Sequence, residues 1–453
     1  MHKQLLVALA CAVLCGGAQA QSTEELKGLL DQAMRTIGDL QQRVQQLEAR
    51  QQAQPPALAA VPAAAATTAP ASAPAAVSAS APAAAAKPAP DKPQVEVYGQ
   101  VMLDAISESG RVNPAWQATM RPSQIAVNCP ADPGCGKDGA LGMSVRQSSL
   151  GLRAAIPTGL GVVKTDLAFD LFGTDGGTNI HWLRAWAEVG AWGLGQTDSN
   201  FMDIDAYPNV IDYWGPSGMA FVRNPQVRYT GAGGEGLAWA VSLEAPNSVI
   251  DTGKLSQVDP ALGAGVTAHN RLPDLVGSVR LDRDWGHVKA AAIVRQVGYQ
   301  TVTTASGDPS GDKTGYGLNL TGVLKLSGRG TLGWGLTGGK AIASYMNDGG
   351  TDLAPGAGLR AEAVNSLGYF LYYGHAWDAK LNSSIGYSQH RQDNSSGQAA
   401  NAFHAGSYAS VNLLYTLTDN VLVGGEYIWG RRENKDGSAA NAGRLQLSGK
   451  VSF

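Results

Sequence analysis

The last ten residues, RLQLSGKVSF (444–453), alternate strictly. Leu445, Leu447, Val451 and Phe453 fall on one side of an extended chain, and Arg444, Gln446, Ser448, Lys450 and Ser452 on the other. Period-two alternation is the mark of a strand with two unlike faces. The same texture recurs from Val95 onward, in segments of about ten residues separated by Gly, Asn, Asp and Pro clusters. Sixteen strands are predicted, near 95–107, 143–156, 160–172, 178–190, 191–197, 223–231, 237–245, 273–284, 286–297, 313–326, 329–343, 366–376, 379–391, 405–417, 420–432 and 441–453. The fold class is therefore all-β. Its apolar faces look either at each other across a sandwich or outward at lipid from a closed barrel with a wet lumen.

Three features favour the barrel. Aromatic residues gather near strand ends (Tyr98, Trp182, Trp192, Trp239, Trp285, Tyr369, Tyr372, Tyr427, Trp429), where interfacial girdles sit. Tight connections near 157–159 and 418–419 alternate with long ones near 108–142, 246–271, 344–365 and 392–404, as periplasmic turns alternate with external loops. The third feature is an aromatic strand end behind a secretory leader. That leader spans residues 1–20: His2 and Lys3, an apolar run from Leu5 to Leu14, then Ala18-Gln19-Ala20 before the cut. Beyond it no apolar run reaches the ~20 residues of a membrane helix. A net charge of −3 argues against a nucleic-acid partner.

Residues 22–52 place Leu30, Ile37 and Val44 at heptad position a, and Leu26, Ala33, Leu40 and Leu47 at d. This predicts an N-terminal α-helical coiled-coil segment. Branched residues at a with Leu at d favour a dimer. The Arg-apolar-x-x-apolar-Glu pattern at 43–48 resembles short trimeric coiled coils, and three strands is the expectation. Residues 53–93 form an Ala/Pro-rich linker with nothing to bury. Cys129 and Cys135 lie in a loop dense in Pro, Gly and Asp, without a nearby His or third Cys. They read as a local disulfide, not a metal site.

With a leader, a short coiled coil and an Ala/Pro linker ahead of QSSLGLRA (147–154), HWLRAWAEVGAWGLGQTDSNFMD (181–203) and RNPQVRYTG (223–231), the chain resembles the DcaP-like family of trimeric Gram-negative outer-membrane porins. Ser149 departs from the pattern, since many porins of this type have Arg before that Leu-Gly. The resemblance implies a sixteen-stranded antiparallel transmembrane β-barrel over 95–453, a homotrimer in outer-membrane lipid with its helices bundled in the periplasm. It also implies Phe453 as the residue read by the barrel-assembly machinery, and passive uptake of small organic anions such as dicarboxylates. Residues 198–222 lack a strand period and are the expected inward-folded constriction loop.

Passive flow needs no catalytic residue or cofactor; width and lining charge set selectivity. More basic than acidic residues fall on the predicted inward faces, and guanidinium groups match carboxylates best. Arg153, Arg184, Arg228, Arg280 and Arg295 are therefore the expected solute contacts. Asp198, Asp203, Asp205 and Asp212 are expected to tie the constriction loop to wall arginines, and no metal is assigned to them. GRGTLG (328–333) matches a dinucleotide string without the helix that would give it meaning. Ser388 and His390 share a face, but nothing else suggests an enzyme. A general diffusion pore without anion preference, or a tether between membrane and cell wall, are the competing functions.

Overall fold

The computed structural model describes residues 92–453 apart from 131–134, 255–265, 302–310, 327 and 358–359. The expected leader, the coiled coil and nearly all of the linker lie outside the described residues. Alternating, β-branched and aromatic-rich segments give sixteen spanning strands. They are β1 (Gln94–Ser109), β2 (Ala140–Ser144 continued by Ser149–Thr158), β3 (Gly161–Phe172), β4 (Thr178–Val189), β5 (Trp192–Asp198) and β6 (Arg223–Gly234). Next come β7 (Leu237–Glu244), β8 (Val266–Ala268 continued by Asp274–Arg283), β9 (Gly286–Thr301), β10 (Gly311–Lys325) and β11 (Gly330–Lys340). The last five are β12 (Asn365–Ala376), β13 (Leu381–Asp393), β14 (Phe403–Thr418), β15 (Val421–Asn434) and β16 (Ala439–Ser452).

Neighbours in sequence pair antiparallel, and the ring closes where β1 meets β16, with Val101 opposite Val451 and Ile106 opposite Gln446. A closed sheet leaves no strand edge unpaired, which a lipid-embedded sheet requires.

Burial on β16 decides which way the faces look. Leu445, Leu447 and Val451 are 50%, 56% and 49% exposed, whereas Arg444 and Gln446 are 0% and Lys450 9%. Apolar side chains point out and charged ones in, the reverse of a water-soluble sheet. The aromatic expectation needs two corrections. Tyr98 turns inward to donate to Asp166, and Tyr372, 2% exposed, packs inside the barrel. Both sit on the inward parity of their strands, which proximity to a strand end does not reveal.

The short connections (residues 159–160, 190–191, 235–236 and 419–420 among them) lie at one end. The long ones lie at the other, and the first, third and sixth of these (110–139, 199–222 and 341–364; L1, L3 and L6) fold into the barrel. Its apolar core is internal: Met120 and Ile125 of L1 and Val210 and Met219 of L3 pack on Phe370, Tyr372, Tyr408 and Ile428. Cys129 and Cys135 of L1 are disulfide-bonded with Cα atoms 5.6 Å apart.

Candidate functional site: the constriction

L3 leaves β5 and is pinned at once to the wall. Ser199 Oγ and the Asn200 N–H donate to Glu244 (2.7 and 2.8 Å), and Asn200 Nδ2 donates to the Ala240 carbonyl (3.1 Å). Phe201 and Met202 pack on Val276, Ile293 and Tyr345. Asp203 then accepts from Thr321 Oγ1 and pairs with His287 Nε2, both at 2.8 Å, while Asp205 lies 2.6 Å from Arg280 Nη1. The loop crosses to the far wall. There Ser384 and Asn412 donate to the Asn209 carbonyl (2.7 and 2.6 Å). The Ile211 peptide is clasped at both ends, its N–H by Glu426 (2.9 Å) and its carbonyl by Gln446 (3.0 Å). Asp212 accepts from Thr119 Oγ1 (2.9 Å) and the Met120 N–H (3.0 Å) and lies 3.8 Å from Arg444.

The return leg is strapped to L6. Ala220 bridges Met346, Phe221 N–H donates to the Tyr345 carbonyl (2.9 Å), and Trp214 Nε1 donates to the Asn347 carbonyl (2.6 Å). L1 joins in through Arg121, whose guanidinium lies 4.2 and 4.0 Å from the Trp116 and Trp214 ring centroids and pairs with Asp348 of L6 (2.9 Å). The inward folding of L6 was not expected from sequence. Its apolar residues, Ile342, Tyr345, Met346, Leu353 and Val364, are buried but follow no strand or helix period, so only its length marked it.

Gly218 shows how tightly the return leg is seated. A Cβ there would overlap the Gln389 and Tyr369 carbonyl oxygens. Gly218→Val is therefore expected to lift L3 from the β12–β13 wall. The measurable result is a lower unfolding temperature, from a cost of about 1–3 kcal/mol, and larger single-channel steps.

Among the described residues, L3 hydrogen-bonds β7, β8, β9, β10 and β13 to β16, and Tyr213 OH donates to Asp170 on β3, while Arg184, Asp198, Arg223 and Arg153 on the β2 to β6 wall keep 11%, 14%, 18% and 34% of their side-chain surface exposed beside it. On that wall three guanidinium groups converge on one residue. Arg223 Nε and Arg184 Nη2 approach the Asp198 carboxylate at 2.7 and 3.4 Å, and Arg228 donates to the Asp198 carbonyl. Arg228 also bonds Gln226 Oε1 through Nε and Nη2 (3.0 and 2.8 Å) and has no carboxylate in ion-pair contact among the described residues. Nearby, Arg153 lies 3.9 Å over the Tyr98 ring and 3.6 Å from Asp166. The ring faces help hold these cations in place.

The expected residues thus divide. Arg153, Arg184 and Arg228 share the open wall. Arg280 is an anchor, paired with Asp203, Asp205 and Asp282 (3.4, 2.6 and 2.9 Å). Arg295 is not a solute contact: its side chain is 0% exposed, lies 3.2 Å from Asp274 and 3.7 Å from Asp352, and supports L6. Its inward parity was legible, but the loop covering it was not. Asp198 is the last residue of β5 and not part of the loop, whereas Asp203, Asp205 and Asp212 do tie L3 down. Arg223 was overlooked because it lies off the parity of Gln226 and Arg228, at the point where the chain turns in from L3.

Burial pushes the Asp203 carboxyl up, but His287, Lys289 and Arg280 outweigh it and hold the group below its ordinary 3.8, at about 2. A carboxylate depressed by folding contributes stability above its unfolded value, and that stability is lost as pH falls through the folded value. The anchor is therefore expected to weaken between about pH 4 and pH 2. Channel recordings across that window should show growing flicker, and Asp203→Asn should abolish the dependence.

Residues 74–251 match the model of the DcaP outer membrane protein family. Over that stretch the chain is similar to this family. The solved structures similar to this barrel include the outer membrane channel DcaP of Acinetobacter baumannii, with 23% identity and a TM-score of 0.68, covering 80% of this chain and 98% of that one. They also include an anion-selective porin from Comamonas acidovorans, at 13% identity and a TM-score of 0.51, and OmpT of Vibrio cholerae lacking loop L8, at 14% and 0.50. Each of these two covers 80% of this chain and 100% of its own. Comparison with curated proteins gives no match. The family match and the barrel point to an outer-membrane channel, and the structural likenesses are likenesses of fold.

Proposed function

We propose that this barrel gives passive, selective passage to small organic anions, dicarboxylates among them, across the outer membrane. The observation behind the reading is the trio Arg184, Arg223 and Arg228 on Asp198, three guanidinium groups against one carboxylate. Counted over the groups in direct contact, that node carries an excess of two positive charges beside the constriction, offset in part by Glu188 and Glu244, which also act on Arg228. A unit charge at 4 Å is worth about 1 kcal/mol in bulk water and about 4 kcal/mol where the effective dielectric constant is near 20. An anion threading between this wall and L3 is therefore favoured over a cation. A dicarboxylate can engage two planar guanidinium forks at once.

The working unit is a homotrimer in outer-membrane lipid, with residues 22–52 bundled on the periplasmic side. The sequence resemblance to the DcaP-like family of trimeric porins and the heptad pattern support this arrangement. Phe453 would be the assembly signal.

The test is reversal potential across a salt gradient in planar bilayers, followed by titration with succinate. Anion preference with block by succinate, but not by a neutral solute of equal size, is the expected result. Equal permeability to both ions would leave a general diffusion pore, and silent, well-folded protein would leave a tether.

A further inference from the structure

A feature on the outside of the barrel has no part in conduction. The outer wall of β12 to β15 bears a groove of ≈ 670 Å³. Its floor is Ala409, flanked in register by Tyr387 on β13 and Trp429 on β15. Ile385, Val411 and Tyr427 extend it toward the short-turn end, one outward step down each strand.

Toward the long loops the outward surface changes character within two residues. Tyr387 OH and Gln389 Nε2 both donate to Ser407 Oγ (3.0 Å each), and Tyr369 OH donates to Gln389 Oε1 (3.2 Å). This is a belt of hydroxyl and amide groups on the lipid side of the wall. One step further, Arg391 and Arg431 point outward with side chains 49% and 41% exposed. Lys340 ends β11 on the same outward parity and is exposed. The nearest carboxylates, Asp393 and Glu433, stand 3.9 and 3.5 Å from the two guanidinium groups. Such exposed, loosely placed pairs are worth little and leave three cations against two carboxylates.

Hydrocarbon alone requires none of the polar groups in this order. We propose that the strip is a binding site for one phosphorylated, acylated sugar lipid of the lipid A type. An acyl chain lies in the groove over Ala409, the sugar rests on the Tyr369–Gln389–Ser407 belt, and a phosphate is held by Arg391 and Arg431. Charge complementarity selects this occupant over a second copy of the chain, which would set the same cations against themselves. Phosphate takes bidentate bonds from guanidinium, which the loose Asp393 and Glu433 contacts do not satisfy. The inference rests on the outer-membrane location and not on which solute passes.

The experiment is native mass spectrometry of the full-length protein with hexa-acylated bisphosphoryl lipid A, its dephosphorylated form, or phosphatidylethanolamine. Two variants are used, the double replacement Arg391→Gln with Arg431→Gln, and Ala409→Trp, which fills the groove from its exposed side. The wild type is expected to retain lipid A, and each variant to lose retention by about tenfold. Conductance should not change, because none of these residues faces the lumen. Equal retention of all three lipids, or full retention in both variants, would overturn the proposal. So would a change of oligomeric state in Ala409→Trp, since it would make the groove a contact between copies.

Discussion

Arg228→Glu is expected to abolish anion preference. The node at Asp198 would pass from three cations and one carboxylate to two of each, a loss of both excess charges. At about 1 kcal/mol per charge at contact distance in water, the chloride-to-potassium permeability ratio should fall roughly thirtyfold. Arg228→Gln removes one charge and should cost about fivefold. The effect should shrink as salt rises, because the Debye length falls from ~10 Å at 0.1 M to ~3 Å at 1 M. Arg295→Gln is the contrasting case: that guanidinium is hidden beneath L6, so its loss should lower the unfolding temperature and leave the reversal potential nearly unchanged. If Arg228→Glu and wild type gave the same reversal potential at low salt, the wall of β2 to β6 would not be the selective element.

Arg444→Met is expected to cause a large loss of stability. The Arg444 side chain is 0% exposed, donates from Nη2 to Glu108 (3.1 Å) and to the Gln117 carbonyl (3.0 Å), and lies 3.8 Å from Asp212. Methionine fills similar volume but leaves two buried carboxylates without a countercharge, at a cost of about 3–5 kcal/mol. Thermal unfolding followed by the loss of β-sheet signal should shift down accordingly. The deficit should narrow in acid, since protonating Glu108 and Asp212 removes the stranded charge. Because Asp212 anchors the loop tip, the surviving channels should conduct in larger and noisier steps. A variant with normal stability and quiet, wild-type steps would show that Gln446, Glu426 and Thr119 hold the tip unaided.

Most of the wall was legible in the sequence because a strand converts order into facing by simple parity. The alternation of 444–453 correctly separated Leu445 from Arg444, and the same parity put Arg153, Arg184 and Arg228 in the lumen. Position along a pore is another matter. Arg280 and Arg295 share that parity but are consumed by Asp203 and Asp205, and by Asp274 and Asp352, which arrive from loops or neighbouring strands. Asp274 lies on β8 itself, but nothing local to β8 or β9 announces Asp203, Asp205 or Asp352. L3 was recognisable as a break in strand period, whereas L6 was not, because apolar residues scattered without period through a glycine-containing loop look alike whether the loop meets water or folds against Met219 and Trp214. Arg223 escaped for a related reason: at the junction of loop and strand, parity is not yet defined.

The seam between β1 and β16 is also the seat of the constriction. Glu108 on one strand and Arg444 on the other meet across it, Gln446 and Ser448 donate to Asp104, and the same Gln446 and Arg444 hold the tip of L3. Strands so distant in sequence pair late, because a long loop must close before their contacts repay its entropy. Until they do, L3 has been synthesised but has no far wall to dock on. The eyelet is therefore built by the final zippering of the wall, and a barrel stalled before that step would be a wide, unselective leak with two open edges.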